Sequence, residues 1–152
     1  MHLAHYLAML ERAERNLGGA FREVGEGHAE EVDVFHLTRQ LAQQCADHAE
    51  ALERFRERYR EQAPAEPDRL HTDIFGGVRQ GSLGLLRDLH DLYLMATECD
   101  ILWTLVAQGA QGARDEDLLA AVGRCEEQTA TQLAWLRTRM KQAAPQALVV
   151  AG

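Results

Sequence analysis

Between Leu3 and Val24 the chain reads LAHYLAMLERAERNLGGAFREV, and alternating three- and four-residue steps pick out Leu3, Leu7, Leu10, Glu14, Leu17, Phe21 and Val24. Such steps bring side chains to one face of a helix. The stretch therefore predicts an amphipathic helix with one carboxylate at the midpoint of its apolar stripe. The pattern recurs from about His28 to Gln62, where Val34, Thr38, Leu41, Cys45, His48, Leu52, Phe55 and Tyr59 share a face. It recurs again from about Asp115 to Ala143, in Leu119, Val122, Glu126, Thr129, Leu133, Leu136 and Met140. In both, the polar interruption is central and falls on a pair three residues apart, Cys45/His48 and Glu126/Thr129. A further helix, from about Leu83 to Gln108, is apolar on most sides. Glu98 stands there among Leu94, Met95, Leu102 and Leu105, either inward or at an edge, because the same stripe passes Arg87 and Asp91.

Punctuation supports these limits. Gly25 and Gly27 end the first helix, Pro64 and Pro67 the second, Gly109 and Gly112 the third, and Pro145 the fourth. Ser82 and Asp115 are N-cap candidates. Ala, Leu, Glu, Arg and Gln dominate, while Ile and Val never alternate over a strand's length. The fold class is therefore all-α, a four-helix bundle. Its connections run short, long, short, with a crossover over residues 63–82 that holds a short helix around Asp68–Phe75. A long middle link can carry the chain the length of a bundle. A plain up-down-up-down bundle with a decorated loop is the alternative.

At 152 residues and 17.0 kDa the chain reads as one domain over residues 1–152. Its net charge of −8, without a Lys/Arg stripe, argues against nucleic acid as a partner. The most apolar stretch, Leu83 to Val106, is broken by Arg87, Asp88, Asp91, Glu98 and Asp100, so no membrane span is expected. Cys45, Cys99 and Cys125 form neither a disulfide framework nor a zinc knuckle. With no basic-apolar leader at the start, the expected setting is the cytoplasm.

Glu14, Cys45/His48, Glu98 and Glu126/Thr129 occupy places where a bundle would want Leu, and no Lys or Arg stands in the centre of these stripes. Buried carboxylates need pairing, protonation or a metal. A cation would supply the charge, and Glu and His suit iron, manganese or zinc. These residues resemble the ferritin-like superfamily of rubrerythrins and bacterioferritins, whose dimetal site takes a Glu from each of two helices and Glu-x-x-His from each of the others. Glu14 and Glu98 match the single Glu positions. Gln43-Gln44-Cys45-Ala46-Asp47-His48-Ala49 looks like Glu-x-x-His-Ala with Cys45 in place of Glu. Glu126-Glu127-Gln128-Thr129-Ala130 looks like the same motif with Thr129 in place of His. The resemblance implies ferritin-like topology and a degenerate metal site on Glu14, Cys45, His48, Glu98 and Glu126, related to iron, oxygen or peroxide, with Cys45 shifting preference toward zinc.

Competing readings stand beside it. Glu14 and His48 are equally a hydrogen-bonded core pair, and the polar layer can specify register in a metal-free interaction or dimerisation module. Cys45 reads as a small buried hydrophobe, or as a thiol with His48 as its base. His28 with Glu31 could form a second metal pair, but solvation is the favoured expectation. Trp103 and Trp135 read as bulk for a core or interface. The apolar tail, residues 144–152, is expected to fold back or to dock on a second subunit, giving a homodimer through the third helix and the tail.

Overall fold

The computed structural model describes residues 2–62 and 74–150. Its helices are α1 (Leu3–Gly27), α2 (Val32–Tyr59) with a tight 3-10 turn at Arg60–Gln62, α3 (Gly81–Gly112) and α4 (Glu116–Pro145), which runs on into a wide π turn at Gln146–Val150. The four form an all-α bundle, with no strand among the described residues.

Neighbouring contacts fix the topology. Arg56 of α2 bonds Glu11 near the start of α1, while Thr38 lies against Gly25 near its end. Leu3 meets Gly109 late in α3, and His28 meets Asp88 early in it. Arg58 and Arg139 tie the two ends of α4 to the end and the beginning of α2. Thus α1 is antiparallel to α2 and α3, α4 is antiparallel to α2 and α3, and α2 ends at the opposite end of the bundle from where α3 begins. The pairs α1/α2, α3/α4 and α1/α3 pack closely, whereas α2 and α4 meet along a much thinner seam.

The helices outlast several of their expected stops. Gly25 lies inside α1, where a Cβ would collide with Thr38 Oγ1, so this glycine marks a close helix crossing. Gly109 likewise stays inside α3, where Leu3 Cδ1 lies 2.9 Å from the position of an added Cβ. The break after α1 falls at residues 28–31, and α2 starts at Val32 rather than His28. Asp115 does cap α4, accepting from Leu118 N at 3.0 Å, whereas Ser82 lies inside α3, whose cap position is Gln80. Pro145 ends only the regular part of α4, since a last-turn proline forfeits one hydrogen bond and the chain relaxes into the wider turn. Of the short helix expected around Asp68–Phe75, Ile74 and Phe75 are non-helical and the rest lies outside the described residues.

The stripes of α1 and α2 are buried as the periodicity predicts, apart from half-buried Leu3. In α4 the buried row is Leu118, Val122, Cys125, Thr129, Gln132, Leu136 and Arg139. Val122, Thr129 and Leu136 belong to the expected stripe. The inward flank, however, is Cys125, Gln132 and Arg139 instead of Glu126, Leu133 and Met140. The cause is the α2/α4 seam, which is polar: Arg139 pairs with Asp33 and Glu31, and Gln132 with Gln44.

Candidate functional site

Glu14, fully buried, sits halfway along α1 and faces α2 and α3 at once. Its Oε1 accepts from Trp103 Nε1 at 2.9 Å and lies 3.2 Å from His48 Nδ1. His48 Nε2 lies 2.7 Å from Gln128 Oε1 on α4. The His48 and Trp103 rings meet edge to face, 5.8 Å apart and 88° between planes. One oxygen of α1 therefore gathers groups from α2 and α3, and His48 extends the network to α4.

Electrostatics follow from this packing. Burial works against a charged imidazole, but the hydrogen bond to Glu14 and its charge outweigh it, with help from Gln128 and Asp47, and the His48 pKa is raised. A protonated ring donates from both nitrogens, which matches an acceptor on each side. The Cys45 thiol is pushed up by burial and by the charge of Glu14. Cys99 is raised by the same two causes, and Cys125 is pushed up to about 12, again by burial first and Glu14 second. Thiolate is the nucleophilic form, so these surroundings suppress thiol chemistry. His48, committed to Glu14 and Gln128, is not placed as a base for Cys45.

Glu14, Cys45 and His48 are thus brought together, close enough for the charge of Glu14 to raise the Cys45 thiol. Glu98 and Glu126 are half-buried rather than central. Thr129 spends its hydroxyl on the Cys125 carbonyl at 2.8 Å. No three His, Cys, Asp or Glu side chains among the described residues are disposed to hold a metal ion. Among the described residues, Glu98 and Glu126 therefore do not join Glu14, Cys45 and His48 in one ligand group. Two buried oxygens nevertheless have no hydrogen-bond partner among the described residues, Glu14 Oε2 and Gln132 Oε1. Gln132 Nε2 reaches Gln44 Oε1 at 3.1 Å and Cys45 Sγ at 3.8 Å.

The sequence reading missed Trp103, Gln128 and Gln132 as members of this network. Trp103 is legible as bulk, but its indole N–H can be assigned a partner only once α3 is docked on α1. Gln132 loses to Leu133 in any apolar stripe. A second polar cluster was missed too. His28, expected to be solvated, is 1% exposed, and its Nε2 lies 2.8 Å from Asp88 Oδ2. Arg79 bridges Asp88 and Asp91 at 2.8 and 2.9 Å, and Arg87 completes the group on Asp91. That cluster fastens the chain leading into α3 onto the α1–α2 turn.

No helix among the described residues is long and apolar enough to cross a membrane. Comparison of the chain with protein-family models, with curated proteins and with solved structures yields no match.

Proposed function

We propose that this chain is a metal-independent helical interaction module, whose central polar network specifies how its two hairpins dock. One observation carries the reading. The charge at Glu14 is met by protein groups, the Trp103 indole and the His48 ring on the same oxygen, so the carboxylate has compensation without an ion. Buried polar groups of this kind can fix register between helices at some cost in stability. Three free, buried cysteines suit a reducing compartment such as the cytoplasm.

A second reading, a single cation held at Glu14, has Glu14 Oε2 in its favour. Beside Cys45, such an ion would be softer than iron, with zinc the natural choice. Elemental mass spectrometry of untagged protein separates the two, as purified and after anaerobic iron or zinc loading followed by desalting. The module reading expects far less than one ion per chain in each case. Near-stoichiometric metal that disappears in Glu14→Ala/His48→Ala would overturn it in favour of the cation.

A further inference from the structure

We propose that the outer face of α3 is the contact surface for a second copy of this chain, paired antiparallel about a two-fold axis at Leu94. This rests on the interaction-module reading and supplies its partner. Leu83, Leu94 and Leu105 are 57%, 42% and 46% exposed on an otherwise well-packed helix. They recur every eleven residues, and eleven residues come within ~20° of three full helical turns, so the leucines form a nearly straight row. Ile101, 52% exposed, lies beside it.

A row symmetric about its middle is complementary to itself. Turning one copy end over end about Leu94 lays Leu83 of one on Leu105 of the other, and Leu94 on its own counterpart. That is the isologous arrangement of a two-fold dimer. The charges agree with the same register. Arg87, seven residues before Leu94, and Glu98, four after it, lie on one edge of the row. The two-fold keeps that edge on the same side, so Arg87 of each copy stands within about one helical turn, ~5 Å along the pair, of the level of the other copy's Glu98. Arg87 uses Nη1 on His90 and Nη2 on Asp91, and a guanidinium has five N–H groups.

The row spans ~33 Å, and at a width of ~10 Å it would bury roughly 700 Å² over both copies. Stable interfaces start near ~1,000 Å². Exposed Leu148, Val149 and Val150 stand in the terminal turn, which packs on both α3 and α4. The dimer is accordingly weak, dissociating in roughly the micromolar range.

Leu94→Cys in the full chain tests the register, because all three native cysteines are buried. The expected result is a disulfide-linked dimer on mild oxidation with copper-phenanthroline. Little should form from Ile101→Cys, whose two copies would lie ~21 Å apart along the pair. Light scattering over about 1–500 μM should show reversible association, weakened at least tenfold by Leu94→Arg, with circular dichroism confirming the fold. Efficient linking through Ile101→Cys and not Leu94→Cys would overturn the register. A monomer at every concentration would overturn the dimer itself. Metal content is a separate readout: a chain that holds metal yet dimerises through Leu94 would sink the metal-independent reading and leave this surface standing.

Discussion

Glu14 cannot be removed without disturbing two other buried groups. Glu14→Leu packs well in an apolar stripe, but it leaves the Trp103 N–H and the His48 ring without their acceptor. Removing one member of a buried ion pair costs about 3–5 kcal/mol, whereas replacing both with apolar groups is close to neutral. Urea denaturation should therefore show Glu14→Leu strongly destabilised, with Glu14→Leu/His48→Leu recovering at least ~1 kcal/mol against the sum of the single variants. The opposite sign is expected at Gln132, whose Oε1 is buried and unpartnered. Gln132→Met removes that unpaired acceptor, and Gln44 is half-exposed and free to rehydrate, so a gain of up to ~1 kcal/mol is expected in the same assay. His48 also makes stability depend on pH. Its pKa is raised in the folded protein, which therefore holds the proton more tightly than the unfolded chain with its ordinary value of about 6.5. The contribution is complete below pH ~6.5 and is lost as pH rises through the folded-state pKa. The three raised thiols add a slope of the same sign, but only above about pH 8.5, their unfolded value. A denaturation series should thus show a decline beginning near neutrality that His48→Gln abolishes. An unchanged slope in that variant would remove His48 as its source.

Each helix owes its position to a different kind of residue. α1 and α2 approach so closely at Gly25 that no side chain fits, because a Cβ would run into Thr38. Gly25→Ala gains helix propensity yet should lose about 1–3 kcal/mol through forced displacement. Gly19, where an added Cβ meets nothing, is the matched control and should tolerate Ala. A drop in melting temperature at Gly19→Ala as large as at Gly25→Ala would refute the steric account. The two glycines show where sequence reading reaches its limit. Gly25 looks like a helix stop, and only the neighbouring helix shows that it is a contact. The stripes of α1 and α2 were legible because each faces a mainly apolar neighbour, and the period alone finds such a face. The inward flank of α4 was not, because it faces the polar α2 seam, where Gln132 and Arg139 outrank Leu133 and Met140. At the site, Glu14, Cys45 and His48 were legible as interruptions of clean stripes. Trp103 and Gln128, which complete the network, lie 89 positions from Glu14 and 80 from His48, outside any local pattern.

Across the whole molecule the contacts divide into two hairpins, α1/α2 and α3/α4, joined chiefly through α1 against α3. Four helices and their short-long-short links were readable from periodicity and punctuation, and the crossing partners became readable only with the helices in place. Within a hairpin the contacts are local, so each can close with little loop entropy to overcome. The Glu14 hub divides differently: Glu14 and His48 come from the first hairpin and Trp103 from the second. A first hairpin formed alone would leave Glu14 open to water and hydrated. Docking strips that water away and returns the indole N–H in a single step, so a misaligned encounter forfeits the first without receiving the second. If the hairpins form first, the hub would act in time as a late checkpoint on assembly. Trp103→Phe should consequently leave the refolding rate near its original value while raising the unfolding rate, a φ-value near zero in stopped-flow chevrons.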